Sequence, residues 1–170
     1  MFDPDICRSL LFVPAGNERY LRSALRGTAD VIQIDLEDAI APAQKERARN
    51  SARSFVAQIA AAGRVAAVRV NGEEPLLGTD LEAVVYPGLA ALTIPKVDTG
   101  AMLAQIDAAI TQLETARGLV PGGIRLIAQI ESARGVLNAR EIAGATPRLA
   151  VLGLGMEDLI ADVGGAVGAD

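Results

Sequence analysis

The sequence contains no histidine, and its only cysteine is Cys7. The absence of histidine excludes a Ser-His-Asp triad, a Cys-His pair, imidazole general-base catalysis and zinc sites built on histidine. A single cysteine cannot form a disulfide within the chain, which fits a reducing compartment. Any metal must therefore be held by oxygen ligands, and acid-base chemistry falls to carboxylates, lysine, tyrosine or water.

The sequence also lacks an excess of positive charge and any long apolar run. Its net charge is −5 and its pI about 4.8, whereas a general nucleic-acid binder carries a basic surface. No apolar run approaches the roughly 18 residues that a membrane-spanning helix needs. The first five residues are acidic and broken by proline, unlike a signal peptide. We expect a soluble, cytoplasmic protein with no nucleic-acid or membrane partner.

The chain has 170 residues, of which 51% are hydrophobic and 22% charged, enough for one domain with a substantial core. Six short runs rich in valine, isoleucine and leucine recur along it. They mostly lack strict alternation, which is typical of strands covered on both faces in a parallel sheet. The runs are residues 9–14, 31–36, 66–70, 91–94, 126–130 and 149–154.

Helical patterns lie between these runs. Residues 103–113 carry one apolar stripe after Thr99, a residue suited to an N-cap. A second stripe, over residues 48–59, stops before Gly63, which fits a left-handed helix end. Residues 72–88 are polar and contain proline and glycine, which predicts a long loop with at most one short helix.

Six strand-helix units in a row predict a parallel α/β fold. Their spacing fits a (β/α)8 TIM barrel, in which eight units take about 250 residues. An open doubly wound sheet is the alternative. We expect residues 1–170 to form a single, incomplete TIM-barrel domain that contains the first six β-α units.

Polar side chains stand at the carboxyl ends of almost all these strands, where both architectures place their functional sites. Strand ends are exposed, so one polar end means little, but five in succession favour a polar mouth above an apolar core. Buried charges are costly unless they are paired or bound to a cation. The residues are Gln33, Asp35, Glu37, Asp38, Arg69, Asn71, Lys96, Gln129, Glu131, Glu157 and Asp158.

Two of these carboxylates suggest a metal site. Glu131 and Asp158 follow neighbouring strands, so their side chains can converge. Two oxygen ligands with open positions for water and substrate suit Mg²⁺. Gly153 and Gly155 either leave room for a ligand there or allow a tight strand-to-helix turn.

The basic residues near these strand ends have two interpretations each. Arg69 offers a rigid fork for a substrate carboxylate, but a salt bridge to Asp35 or Glu37 explains it equally well. Lys96 suits either a Schiff base in an aldolase or an ion pair with a carboxylate. The basic stretch at residues 45–53 is interpreted as a solvated helix face.

Six sequence motifs occur along the chain in a fixed order. Together, from Arg8 to about Gly165, they resemble the citrate lyase beta subunit (CitE-like) branch of the HpcH/HpaI aldolase/citrate lyase family. The segments are RSLLFVPAG at 8–16, DLEDA at 35–39, RVN at 69–71, PK at 95–96, IESARG at 130–135 and GMED at 155–158.

The resemblance implies a TIM barrel of the phosphoenolpyruvate/pyruvate-binding type and a Mg²⁺-dependent carbon–carbon lyase that forms no Schiff base. Its substrate would be a 3-hydroxy acyl thioester such as citryl-, malyl- or citramalyl-CoA, or the same acyl group on an acyl carrier protein. The products would be an oxo-acid and an acyl thioester. The alternatives are a Mg²⁺-dependent aldolase acting on free pyruvate or other oxo-acids, and a non-catalytic, incomplete subunit.

The resemblance also implies roles for individual residues. Glu131 and Asp158 correspond to the metal ligands, and Arg69 to the residue that binds the oxo-acid carboxylate. These three are the implied catalytic residues, with Arg69 and Glu131 also contacting substrate. The acidic cluster implied to bind substrate consists of Asp35, Glu37 and Asp38.

The resemblance is less specific about the thioester handle, which is the CoA or acyl carrier protein that carries the acyl group, and about the oligomeric state. In CoA-using members the nucleotide binds near the positions of Arg8 and residues 14–19. The family's subunits form homo-oligomers, which suggests a trimer or hexamer. Family members are longer than this chain, so we expect the last two β-α units to be missing from it.

Overall fold

The computed structural model describes residues 2–166, in which six strands and seven α-helices alternate. The strands are β1 (Leu10–Pro14), β2 (Val31–Asp35), β3 (Val65–Arg69), β4 (Leu89–Ile94), β5 (Arg125–Ile130) and β6 (Leu149–Leu154). The helices are α1 (Glu18–Arg26), α2 (Lys45–Ala61), α3 (Leu76–Val84), α4 (Gly100–Ala116), α5 (Ala133–Leu137), α6 (Ala139–Ala143) and α7 (Met156–Asp162). None of the helices in this part of the chain has the length and apolar character needed to cross a membrane.

The six strands form one parallel sheet in the order β1-β2-β3-β4-β5-β6. Because each strand pairs with the next one along the chain, every crossover steps in the same direction. Right-handed crossovers of this kind place all helices on one face of the sheet. A doubly wound sheet reverses direction at a switch point. The order therefore excludes the doubly wound alternative and confirms the six predicted β-α units.

Alternating strand residues supply two separate apolar clusters. The larger cluster joins one set of strand side chains to the helices, with Ile32, Leu92 and Leu126 fully buried. The smaller cluster lies on the opposite, inner face of the sheet, where a barrel interior would be. Its buried members are Phe2, Val31, Ala67, Ala91 and Ile127.

The inner face becomes polar towards the carboxyl ends of the strands. Gln33 follows Val31 on this face, and the Thr93 hydroxyl donates a hydrogen bond of 2.5 Å to the Gln33 side-chain oxygen. These residues belong to β2 and β4, which are not neighbours, so the bond spans the inner face above β3. Side chains from alternate strands meet in this way inside TIM barrels.

The helix signals predicted from the sequence are confirmed. The Thr99 hydroxyl accepts a hydrogen bond from the Met102 backbone N–H at the start of α4, and Gly63, just after α2, has a φ of 70°. Residues 72–88 contain the one helix allowed for, α3. This helix packs against the core, and its Asp80 is fully buried.

Candidate active site

Three adjoining clefts lie at the carboxyl ends of the strands. We call them the central cleft, of about 370 Å³, the acidic cleft, of about 540 Å³, and the lateral cleft, of about 350 Å³. The lining of the central cleft includes Arg69, Gln129, Glu131 and Asp158. That of the acidic cleft includes Lys96, Asp98, Glu131, Asp158 and Asp162, and that of the lateral cleft includes Glu37, Asp38, Lys45, Asn71 and Lys96.

Glu131 and Asp158 line both the central and the acidic cleft, so the structure brings the two predicted metal ligands to one place. Glu131 follows β5, is 6% exposed, and has a buried carboxylate oxygen, Oε2, with no hydrogen-bond partner in the described residues. Asp158 lies in the first turn of α7, and its side chain is half exposed. A carboxylate pair of this kind has an unused oxygen for a cation.

The electrostatics of Glu131 also fit a bound cation. Burial, followed by the charge of Asp158, raises the pKa of Glu131 above its ordinary value. A divalent cation between the two carboxylates would remove this penalty. No group of three or more acidic or cysteine side chains suited to a metal occurs within residues 2–166. A cation held by two carboxylates would keep further coordination positions for water and substrate oxygens, as Mg²⁺ prefers.

Arg69 ends β3 on the inner face and is held by three carboxylates. Its Nε and Nη2 donate to the two oxygens of Asp35, at 2.8 and 2.7 Å. Its Nη1 lies 2.9 Å from an oxygen of Glu37 and 3.2 Å from one of Asp38. The predicted salt bridge is confirmed, and the guanidinium also lines the central cleft beside Glu131. Binding of a substrate carboxylate by Arg69 stays a prediction.

Asp35 has a different role from the one predicted. It is 2% exposed and is not part of the lining of the three clefts. Besides Arg69, its oxygens accept hydrogen bonds from the backbone N–H groups of Glu37 and Ala39, at 3.0 and 3.2 Å. With both oxygens occupied, Asp35 orients Arg69 and the loop after β2, and we no longer expect it to contact substrate.

Lys96 lines both the lateral and the acidic cleft, and Glu37 lines the lateral cleft beside it. The Lys96 ammonium lies 3.6 Å from Glu37 Oε1 and 3.8 Å from Asp158 Oδ2, which supports the ion-pair interpretation of this lysine. Burial would lower the pKa of Lys96, but the surrounding carboxylates outweigh it and raise the pKa. Burial is also the main reason why the pKa of Glu37 rises to about 7.

Charge at these clefts is predominantly negative. Arg69, Lys96 and, in the lateral cleft, Lys45 supply the positive charge, whereas the carboxylates that line the clefts outnumber them. A dianionic substrate would be repelled from such a site unless a divalent cation were present. The carboxylates are Glu37, Asp38, Glu73, Asp98, Glu131, Glu157, Asp158 and Asp162.

The interpretation of residues 45–53 as a solvated helix face is wrong for two of its members. The Lys45 ammonium donates to the Asn71 side chain at 2.7 Å, and Arg49 Nε to the buried Asp80 at 2.5 Å. The sequence contains one indication that Lys45 is unusual, because only two of its sixteen basic residues are lysines. In the structure both of these lysines, Lys45 and Lys96, line the lateral cleft.

Arg8, expected near the thioester handle, lies away from the three clefts. Arg8 precedes β1, at the amino ends of the strands, whereas the three clefts lie at the carboxyl ends. There its backbone N–H and guanidinium donate to the Asp30 carboxylate at 2.9 and 3.0 Å. Residues 14–19, by contrast, follow β1 at the carboxyl ends.

The parallel sheet, with a pair of carboxylates and an arginine at the carboxyl ends of its strands, places the chain among α/β proteins of the TIM-barrel type. The chain belongs to the HpcH/HpaI aldolase/citrate lyase family, whose sequence model matches residues 8–169. The resemblance stated from the sequence is thereby confirmed.

Several curated proteins are similar over almost the whole chain. It is 36% identical to citrate lyase subunit beta of Leuconostoc mesenteroides subsp. cremoris, over 92% of this chain and 52% of that protein. It is 34% identical to L-malyl-CoA/beta-methylmalyl-CoA lyase of Rhodobacter capsulatus, over 92% and 50%. It is 39% identical to (3S)-malyl-CoA thioesterase of Cereibacter sphaeroides, over 92% and 51%. The chain thus spans about half the length of these relatives.

Solved structures agree with this assignment. The citrate lyase beta subunit of Mycobacterium tuberculosis complexed with oxaloacetate and magnesium is 31% identical, with a TM-score of 0.69 over 95% of this chain and 63% of that chain. Haloferax volcanii malate synthase, 21% identical, superposes with a TM-score of 0.82 over 98% and 55%, which supports the fold alone. The TIM-barrel type of the six-stranded sheet is therefore confirmed.

Proposed function

We propose that this chain carries the metal and oxo-acid site of a Mg²⁺-dependent carbon–carbon lyase that acts on a 3-hydroxy acyl thioester. The observation that carries this proposal is that Glu131 and Asp158 share one cleft beside the carboxylate-held Arg69. The named relatives act on citrate and malyl-CoA by their names, and one solved relative holds oxaloacetate and magnesium.

The residues present fit the metal. Glu131 and Asp158 would hold Mg²⁺, with the unpartnered Oε2 of Glu131 as one ligand atom. Bound there, Mg²⁺ would act as a Lewis acid that stabilises charge on the substrate oxygen as the carbon–carbon bond breaks.

Arg69 contributes binding and orientation. Asp35 fixes the guanidinium through two hydrogen bonds, and Glu37 and Asp38 contact its Nη1. The guanidinium also lines the central cleft, where an N–H group can bind a substrate carboxylate. A substrate carboxylate bound there is held in one orientation relative to Glu131, which lowers the entropic part of the barrier. Asp38, which is largely exposed, can turn away from Arg69 when that carboxylate binds.

The substrate carries the acyl group on CoA or on an acyl carrier protein, and the active protein is a homo-oligomer such as a trimer or hexamer. Both parts of this proposal extend beyond the carboxylate and arginine geometry. The CoA thioester rests on the name of the malyl-CoA lyase relative, which is about twice as long as this chain. The acyl carrier protein and the oligomer rest on the family resemblance alone.

The test is turnover of citryl-, malyl- and citramalyl-CoA with Mg²⁺, in which oxo-acid and free thiol are measured separately. A lyase releases oxo-acid with little free thiol, whereas a thioesterase releases thiol and hydroxy acid. Glu131→Ala and Asp158→Ala should each abolish Mg²⁺-dependent turnover. Glu46→Gln, a change on the exposed first turn of α2, should leave it intact.

Three results would contradict the proposal. Full turnover in excess EDTA would remove the metal from the mechanism. Cleavage of the free hydroxy acids in preference to their thioesters would favour an oxo-acid aldolase. Mg²⁺ binding without cleavage of any thioester by the complete oligomer would favour a non-catalytic subunit.

A further inference from the structure

A hydrogen-bonded group of four side chains lies behind the end of β2, in and beside the lateral cleft. It consists of Lys45, Arg49, Asn71 and Asp80, which come from α2, the β3–α3 loop and α3. We call it the lateral network. None of these side chains belongs to the metal pair, and Asp80 is 0% exposed.

Lys45 makes three hydrogen bonds, as many as an ammonium has protons. Its Nζ donates to the backbone carbonyls of Leu36 and Glu37 at 2.7 and 2.6 Å. The third bond, of 2.7 Å, goes to the side-chain oxygen of Asn71. A single side chain at the start of α2 thus fixes two consecutive peptide groups after β2.

Asp80 completes the network from α3. One of its oxygens accepts from the backbone N–H and the side-chain amide of Asn71, at 2.8 and 2.6 Å. The other accepts from Arg49 at 2.5 Å. The Asn71 amide also donates to the Leu36 carbonyl at 3.1 Å, so β2, β3, α2 and α3 all meet at this point.

The backbone that Lys45 fixes belongs to the same loop as Glu37 and Asp38, whose carboxylates contact the cationic side chains of the site. The Glu37 carboxylate contacts both Arg69 and Lys96, and Asp38 contacts Arg69. A shift of the Leu36–Glu37 peptides would move these carboxylates and with them the guanidinium. Burial lowers the pKa of Lys45, but the facing carboxylates of Asp80 and the β2 loop oppose this effect.

We propose that Lys45 and Asp80 are positioning residues, which fix the backbone at Glu37 and thereby the orientation of Arg69 towards the oxo-acid carboxylate. This inference rests on the proposed function for its substrate, but the positioning of the loop can be tested without any substrate. Arginine cannot replace Lys45, because a planar fork does not direct three donors to the converging acceptors that an ammonium reaches.

The first experiment measures amide hydrogen exchange at Glu37 and Ala39, whose N–H groups donate to Asp35. Lys45→Met should accelerate exchange at both amides at least tenfold in the absence of ligand. Arg47→Met, which removes an exposed cation from the same helix, should leave them unchanged. Unchanged exchange in Lys45→Met overturns the inference, whatever the protein's substrate is.

The second experiment separates the metal from the oxo-acid by calorimetric titration with Mg²⁺ and then with oxaloacetate. Lys45→Met, Lys45→Arg and Asp80→Asn should weaken oxaloacetate binding by about 10- to 100-fold, the size expected when one hydrogen bond to a charged group is disturbed. The Mg²⁺ affinity of each variant should stay within about threefold of the wild-type value, because neither Lys45 nor Asp80 touches the metal pair. Loss of both affinities together, or of neither, overturns the inference.

The two experiments distinguish this inference from the proposed function. If the wild-type protein binds Mg²⁺ but no oxaloacetate, the proposed function fails and the role assigned to Lys45 towards Arg69 fails with it. If the wild type binds oxaloacetate and Lys45→Met binds it equally well, the positioning role alone is wrong.

Discussion

Gly155 lies directly against the Glu131 carboxylate. A Cβ placed on Gly155 would come within 2.6 Å of Glu131 Oε1 and even closer to its Cγ. The φ of Gly155 is −88°, which any residue adopts, so the backbone does not require glycine there. Glycine at position 155 thus leaves room for the Glu131 side chain, whereas the sequence suggested room for a ligand or a tight turn.

Gly155→Ala should therefore displace the Glu131 side chain and weaken Mg²⁺ binding by about 10- to 100-fold, the range found for disturbed metal surroundings. Gly153→Ala is the matched control, because its Cβ would meet nothing closer than the Ala128 carbonyl oxygen at 4.0 Å. Titration of both variants with Mg²⁺, or with Mn²⁺ followed by electron paramagnetic resonance, measures the difference. Equal affinities in the two variants would contradict the role given to Glu131.

Glu37→Gln should change how the free energy of unfolding depends on pH. Burial raises the pKa of Glu37 from 4.5 to about 7, more than Arg69 and Lys96 lower it. Protonated Glu37 thus contributes stability that is complete below pH 4.5 and is lost as the pH rises through about 7. Glutamine stays neutral throughout this range.

Urea unfolding of both proteins from pH 4 to pH 8 tests this prediction. The wild type should lose stability relative to Glu37→Gln by up to about 1.4 kcal/mol for each unit of pKa shift. If the difference in the free energy of unfolding between the two proteins stays constant from pH 4 to pH 8, the prediction is wrong. Glu37 would then be ionised in the folded protein, with its charge fully compensated by Arg69.

The strands and the proximity of Glu131 and Asp158 could be predicted from the sequence because both depend on local patterns. Apolar runs locate the strands, and the carboxyl ends of parallel strands necessarily meet at one edge. The binding of a metal by Glu131 and Asp158 stays a prediction. The doubly wound alternative could not be excluded in this way, since strand order is a property of the whole sheet.

The lateral network could not be predicted because its partners are distant in sequence. Lys45 and Asn71 are 26 residues apart, and Arg49 and Asp80 are 31 apart. A basic stretch at the start of a helix is usually solvated, and only tertiary contacts show that these two members are not. By contrast, a salt bridge from Arg69 to Asp35 or Glu37 could be predicted, because β2 and β3 are neighbouring strands that pair Asp35 with Arg69 in register.

Arg148→Met should destabilise the fold by about 3–5 kcal/mol, the usual cost of leaving a buried charge without its partner. Arg148 is 2% exposed, and its guanidinium donates to the fully buried Glu114 at 3.1 and 2.6 Å and also to Asp107. These contacts join α4 to the start of β6, at the opposite end of the strands from the clefts.

Arg22→Met is the control for this variant, because Arg22 forms an exposed pair with Glu18 at 3.8 Å. Such surface pairs contribute about 0–1 kcal/mol. Urea unfolding curves give both values. A loss below about 1 kcal/mol for Arg148→Met would mean that water reaches Glu114 and compensates its charge.

Lys96 should form no Schiff base with pyruvate. Its ammonium lies between the carboxylates of Glu37 and Asp158, which favour the charged form, whereas attack on a carbonyl needs the neutral amine. Incubation with pyruvate and borohydride should therefore leave the mass of the Lys96 peptide unchanged. The peptide that contains Lys45 serves as an internal control, because the chain has no other lysine. A reduced pyruvate adduct on Lys96 alone would replace the metal-dependent lyase with a Schiff-base aldolase, since the carboxylates would then serve to activate the amine rather than to hold it charged.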